Sequence, residues 1–486
     1  SKANLEDKAE SGELYTENPM LLARMGLPFD SPYSYTFNDN GDIVYGNRVE
    51  KLHYSGITLP WYRYTYDHFH RDRLAGSMRI YEQITPIPGL VIKAQQALEG
   101  YDATASETID PRKTFYTAMG DKIGQNDPGY INPGSNSESF SRYYQFTYTN
   151  TAEYTFDFLK NHHARVLIGQ ESIIRKSNGF GVATSGTVDK RMNLLNQGTT
   201  VSMGGVDYSK SEIVINSYFA NANYDYDNRY FIDASFRRDG SSQLAPGHRW
   251  GNFWAFGLMW NLRNESWLNL QEKTWLNDLR LHYSYGGSGN SNIGNFAWMG
   301  AIGTYEYGYG GNSATGTSGA SNYDLSWETV WSHDLGVNVR FFDRIGITAD
   351  WYKKTTSNML YNIPYAISTG VESGAANVCK MTNTGIEAEI TGDIFKSKDW
   401  YIGARVSFNY NRNRITELWD GTDIYPISAT GLVLKVGDVS NQYYMVRYVG
   451  VDPADGKQMW LDKNDNVTKT FPSDAQGCTG KSSFAP

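Results

Sequence analysis

The sequence predicts an all-β protein, an antiparallel transmembrane β-barrel, on three observations. Apolar and polar residues alternate along many segments. The connections between those segments alternate between short polar turns and long stretches rich in Gly, Ser, Asn, Thr and Tyr. No run of about 18 apolar residues exists that could cross a membrane as a helix, a limit that does not apply to alternating strands. The composition agrees: of 486 residues 40% are hydrophobic and 14% aromatic, with 48 Gly and 36 Tyr. Such a mixture suits strands, turns and amphipathic surfaces better than a large aliphatic core.

In a strand, successive side chains point to opposite faces, so each segment can be read for two faces. YFIDASFR sets Tyr230, Ile232, Ala234 and Phe236 against Asp233, Ser235 and Arg237. LRLHYSY sets Leu279, Leu281, Tyr283 and Tyr285 against Arg280, His282 and Ser284. HDLGVNVRF opposes Leu335, Val337, Val339 and Phe341 to Asp334, Asn338 and Arg340. RIGITADWYKK opposes Ile345, Ile347, Ala349 and Trp351 to Thr348 and Asp350. GIEAEIT sets Ile386, Ala388 and Ile390 against Glu387 and Glu389, and IGARVSFN sets Ile402, Ala404, Val406 and Phe408 against Arg405, Ser407 and Asn409. Short turns are expected at Asp227-Asn228-Arg229, around Asp343 and at Lys396-Ser397-Lys398-Asp399, with long loops near 175–208, 286–326, 353–382 and 411–440. Short turns at one end and long loops at the other are the outer-membrane barrel arrangement. About 14 barrel-like strands are expected, with no domain linker. Residues 1–55 read as an extracellular loop region leading into the barrel and 56–486 as its central part.

Alternation alone also fits a soluble β-sandwich or propeller with the greasy faces inward. Two features favour the opposite facing. The wet parity carries full charges of both signs, and the greasy parity carries Trp and Tyr near strand ends, as at Trp254 and Trp260 in FWAFGLMW. Aromatic residues at the ends of an apolar band sit at lipid headgroup level. The greasy faces are therefore expected to meet lipid and the charged faces to line a lumen.

Other motifs yield little. A net charge of −8 disfavours a nucleic-acid partner. Cys379 and Cys478, the only cysteines, build neither a disulfide framework nor a Cys-rich metal site. The polar, acidic opening SKANLEDKAESGELY is no signal peptide, so the chain is expected to be either unexported or an internal or mature piece. AQGCTGKS, Ala475 to Ser482, resembles a phosphate loop but lacks the buried strand before it and the helix after it. His68 and His70 share a strand face without a third ligand, and His162-His163 reads as part of a turn. DKNDN, Asp462 to Asn466, lacks the Gly and Glu of a calcium loop and reads as a hairpin turn. No catalytic constellation can be assembled, so no enzyme activity, cofactor or metal is assigned. The loop aromatics Trp298, Tyr305, Tyr307, Tyr309, Trp419 and Tyr425 are candidates for contacting a ligand or a partner, since aromatic rings can stack on sugars or grip peptide side chains. The competing role for each is interfacial anchoring or loop self-packing.

Several ordered stretches together resemble the SusC/RagA family of TonB-dependent outer-membrane transporters of Bacteroidota. They are SFRRDGSSQLAPGHRWGNFWAFGLMWNL (235–262), LRLHYSYGGSGNSNIG, LSWETVWSHDLGVNVRFFDRIGITADWYKKTTSNMLYNIP, TNTGIEAEI and VGVDPADGKQMWLDKNDN. The resemblance implies a barrel of roughly 22 strands around a plug domain, in the outer membrane of a Gram-negative bacterium. It implies import of oligosaccharide or oligopeptide, a SusD-like surface lipoprotein as lid, and TonB acting through a segment not visible here. A non-transporting β-rich surface protein, such as a glycan-binding adhesin, is the alternative. No plug or TonB-binding segment is visible, and the chain is expected to begin in an extracellular loop and stop before the last strands. Under the resemblance, Asp233, Arg237, Arg280, Arg340, Asp350, Glu387, Glu389 and Arg405 are expected to face the plug from the lumen wall.

Overall fold

The computed structural model describes residues 31–48, 68–109, 134–189, 191–305, 314–371, 373–427, 432–440, 442–443, 445–462, 465–470 and 484–485. In chain order it begins with a hairpin of β1 (Tyr33–Phe37) and β2 (Ile43–Arg48). Eight long strands follow: β3 (His68–Ile87), β4 (Leu90–Ile109), β5 (Gly134–Phe158), β6 (His162–Thr187), β7 (Thr200–Tyr226), β8 (Tyr230–Ser241), β9 (Trp250–Asn261) and β10 (Leu276–Asn290). After the small hairpin β11 (Ala301–Tyr305) and β12 (Ala314–Gly319) come β13 (Glu328–Phe341), β14 (Ile345–Pro364), β15 (Ser373–Lys396) and β16 (Tyr401–Glu417). The described residues contain short 3-10 turns and no α-helix.

Twelve of these strands share one ladder in the order β16-β15-β14-β13-β10-β9-β8-β7-β6-β5-β4-β3. Among the described residues the ladder holds twelve strands, beside the expected figure of about 14. The remaining described strands, of two to six residues, pair in five small sheets. At about 3.3 Å per residue they are too short to span a bilayer on a slant. Grouping by proximity gives two compact units. Of the described residues, those up to 79 and those within 97–146 and 175–212 fall in one unit, and those within 80–96 and 147–174 and from 213 onward in the other.

The short turns fall where expected, and their backbone explains why. Asp227 and Asn228 have φ of 54° and 52°, and Phe342 and Asp343 both have φ of 53°. Three residues lie between the last paired ones, Tyr226↔Tyr230 and Phe341↔Ile345, and the two consecutive left-handed residues in each turn the chain in the sense of the flanking strands' twist. The Asp227-Asn228 turn uses residues that tolerate this conformation. Phe342 does not tolerate it easily, and there the turn is held from outside: Phe342 N donates to Trp275 O at 2.8 Å and Asp343 N to Asn277 Oδ1 at 2.6 Å.

The long segments 175–208, 353–382 and 411–440 are less irregular than the sequence suggested. β6, β7, β14, β15 and β16 all run on into them. Beyond the apolar band the β14–β15 register shifts at Thr356/Met359 and Met359/Leu360, and residues such as Met359 and Cys379 pack into a loop-end cluster, so alternation is lost while the backbone ladder continues.

Much of the apolar parity is exposed. Leu279, Val339, Ile347, Ile390 and Val406 lie in one cross-strand row, and Tyr283, Leu335, Trp351, Ile386 and Tyr410 in another. Leu335, Ile390 and Val406 are 51%, 48% and 65% exposed. A water-soluble sandwich would bury one such face, and this sheet has nothing laid over it among the described residues. Aromatic groups close the band at both ends. Tyr226, Tyr230 and Trp260 stack in series at the turn end, where Trp275 also stacks on Phe341. Towards the loops, Trp331 packs edge-on against Trp254 and stacks on Tyr285. From Trp331 to Phe341 the strand covers ten steps, about 34 Å along its length, or roughly 25 Å of height at the usual barrel tilt. That is the height of an outer-membrane apolar band.

Buried apolar residues gather instead at the loop end. Leu244, Ala245, Phe253, Trp298, Leu325, Trp327 and Ala375 form one cluster. Cys379, Ile415, Leu418 and Leu434 form a second.

Candidate functional site

Opposite the apolar band, register assembles the polar parity into rows. Arg280, Asn338, Thr348, Glu389 and Ser407 lie side by side, next to His282, Gly336, Asp350, Glu387 and Asn409. All eight charges singled out in the sequence lie on this parity of the sheet, and each has a partner on the face or in an adjoining turn. Arg237 reaches Glu171 at 3.1 Å, Asp239 at 2.7 Å and Ser217 Oγ at 2.9 Å. Asp233 accepts from the Asn223 amide, which also accepts from Arg165. Arg280 pairs with Asp278, and Arg340 donates to the Asp343 carbonyl at 2.7 Å. Glu387 accepts from Asn409 at 3.1 Å, and Glu389 lies 3.5 Å from Arg405. A domain docking here would meet an internally paired wall of both signs.

The densest group on the face is His282, Asp334 and Asp350, one residue from each of β10, β13 and β14. His282 Nε2 is 2.9 Å from Asp350 Oδ1 and 3.6 Å from Asp334 Oδ1. Gly336 stands in register between His282 and Asp350. A Cβ there would overlap both the carboxylate and the imidazole, so the glycine is what lets side chains two strands apart meet.

The loop aromatics divide. Trp298 is 9% exposed, packed in the first loop-end cluster and edge-on to Tyr323. Trp419 is half-buried, stacked on Tyr361 and edge-on to Tyr425 at 4.5 Å, capping the second cluster. Tyr305 ends β11 with its backbone paired to Ala314. Tyr307 and Tyr309 lie outside the described residues, as do Cys478 and the 475–482 motif. His70 bonds Asp72 at 2.9 Å on an exposed strand, and Asp462 N donates to Asn466 O at 2.9 Å in a hairpin turn between β22 (Gln458–Leu461) and β23 (Val467–Thr468). β17 (Ile424–Ile427) to β19 (Gln442–Tyr443) and β20 (Met445–Val446) and β21 (Tyr448–Val451) precede that hairpin.

Sequence reading passed over a node at the turn end. Glu265, buried, accepts from Trp260 Nε1 at 2.8 Å and Trp267 Nε1 at 3.1 Å, with Arg229 at 3.7 Å. Hydrogen bonding to Tyr230 and Trp260, with the Arg229 charge and Trp267 adding to it, holds this carboxyl below its usual range despite burial. Part of its signal was available, an acid between Trp260 and Trp267 where β9 leads into a short connection, whereas Arg229 comes from the turn before β8. Cys379, above the apolar band, has its thiol pushed up to about 11 by burial, with Glu417 contributing.

Residues 18–472 match the family described as TonB dependent receptor-like, beta-barrel. Similar curated proteins include TonB-dependent receptor P39 of Formosa agariphila, 28% identical over 393 residues that cover 75% of this chain and 36% of the relative. TonB-dependent receptor SusC of Bacteroides thetaiotaomicron is 29% identical over 274 residues, covering 52% of this chain and 27% of SusC. The RagAB peptide importer in its open-open state superposes with a TM-score of 0.77 at 29% identity, covering 95% of this chain and 49% of that one. The chain thus spans about a quarter to a half of the length of these relatives. With its register, its exposed apolar band and a family match over nearly its whole length, the chain belongs to the TonB-dependent receptor β-barrel family and resembles the SusC and RagA members within it.

Proposed function

We propose that this chain forms part of the wall of an energised outer-membrane importer in a Gram-negative bacterium. It takes up oligopeptides together with a SusD-like surface lipoprotein and draws on TonB. The observation that carries this reading is the pairing of faces: an exposed apolar band about 25 Å high, bounded by aromatic residues, backs onto a face of paired charges. The likeness to a peptide importer at 30% identity favours oligopeptide over oligosaccharide as cargo. In this reading Asp233, Arg237, Arg280, Arg340, Asp350, Glu387, Glu389 and Arg405 meet the plug. Trp419, Tyr425, Tyr305, Tyr307 and Tyr309 meet cargo or lid, and Trp298 packs the first loop-end cluster.

Uptake of a fluorescent oligopeptide pool and of an oligosaccharide pool by cells carrying the full-length protein, with and without TonB, tests the proposal. Peptide uptake that disappears without TonB is expected. Uptake of oligosaccharide alone would reassign the cargo, and uptake indifferent to TonB would overturn the importer reading.

A further inference from the structure

We propose that His282, Asp334 and Asp350 form a divalent-cation site of the zinc and manganese class on the polar face of the sheet. One ligand atom from each residue lies within 4.8 Å of the other two. Metal bonds of about 2.0–2.1 Å place neighbouring ligand atoms about 3.3 Å apart in a tetrahedron, and closer in an octahedron. The His282–Asp350 and His282–Asp334 separations of 2.9 and 3.6 Å bracket that value, so modest side-chain rotation closes the set around an ion. The strands fix where the three side chains start. The absence of a side chain at Gly336 keeps the space between them open.

The donors select the ion. One imidazole nitrogen and two carboxylates suit zinc, manganese or ferrous iron, whereas copper(I) wants sulfur and calcium six to eight oxygens. Charge points the same way, because two carboxylates converge here with a third, Glu387, in register beside Asp350.

An outer partner is also in place. Asn338 Nδ2 lies 3.4 Å from His282 Nδ1, and Asn338 Oδ1 accepts from Thr348 Oγ1 at 2.9 Å. Metal on Nε2 leaves the proton on Nδ1. Turned over, the same amide accepts that proton through Oδ1 and donates through Nδ2 to the Thr348 hydroxyl.

The test is equilibrium dialysis of EDTA-stripped, detergent-purified full-length protein against Zn²⁺, with Co²⁺ absorption reporting ligand type. One tight equivalent is expected in the wild type. It should be lost in His282→Ala and weakened at least about 10-fold in Asp334→Asn, an isosteric change that keeps the strand in place. Gly336→Ala, which retains all three ligands but fills their meeting point, should also weaken binding. Wild-type protein that takes up no Zn²⁺, or the same binding in His282→Ala and Asp334→Asn, would overturn the site.

Discussion

Arginine at Leu335 probes the facing of the sheet most sharply. Leu335 lies midway along the Trp331–Phe341 stretch of β13, is 51% exposed, and is flanked in register by Tyr283 and Trp351. If that face meets hydrocarbon, Leu335→Arg places a cation at the bilayer midplane and costs about 2–4 kcal/mol. The control is Thr348→Arg on the polar face. It removes one hydrogen bond to Asn338, worth about 1 kcal/mol, and places the new cation beside Glu389, which offsets part of the loss. On a water-facing surface the leucine change would fall within about 0.5 kcal/mol of wild type. Denaturant unfolding of the full-length protein in phospholipid vesicles, followed by tryptophan fluorescence, measures both variants. A Leu335→Arg cost no larger than that of Thr348→Arg would refute the lipid assignment.

Three further outcomes follow. Trp298→Ala removes one of the two tryptophans of its loop cluster and should cost about 3–5 kcal/mol where it unfolds with the rest, read as faster proteolysis within 291–327 and a lower melting temperature; unchanged proteolysis would make Trp298 a surface residue. Glu265 has a lowered carboxyl pKa, so its stabilising contribution is present above its ordinary value of 4.5 and is lost as pH falls through the lower folded value. Acid unfolding should accordingly flatten in Glu265→Gln, and an identical acid transition would contradict the node. In a Cys478→Ser background, Cys379 should resist maleimide at pH 8 until the protein is unfolded, because the thiol is buried and its pKa is about 11; rapid labelling of folded protein would contradict that burial.

Much of the barrel wall is legible in the sequence because a strand's period is two. Ile345, Ile347, Ala349 and Trp351 declare one face without any partner in view, and Asp227-Asn228 declares its turn by composition. What could not be read depends on register. Asp233 and Asn223, or Glu389 and Arg405, become partners only once β7 is aligned with β8 and β15 with β16. His282 and Asp350 are 68 residues apart and meet across a glycine, which no spacing rule anticipates. The outer reaches of β14 and β15 read as loop because register shifts break their alternation and their apolar residues pack into the loop-end clusters. Trp298 read as a loop aromatic because Leu244, Leu325 and Trp327, which enclose it, lie on other connections.

The central claim is that this sheet separates lipid from an aqueous lumen, and paired accessibility along one strand tests it most directly. Single spin labels would be placed at each position from Ile345 to Trp351 of full-length, cysteine-free protein in bilayers. Collision rates with oxygen, which concentrates in lipid, and with a water-soluble nickel chelate would then be compared. Oxygen should dominate at Ile345, Ile347, Ala349 and Trp351, and the chelate at Gly346, Thr348 and Asp350, giving two profiles of period two and opposite phase. Profiles in phase, or chelate access at Ile347 equal to that at Thr348, would contradict the account.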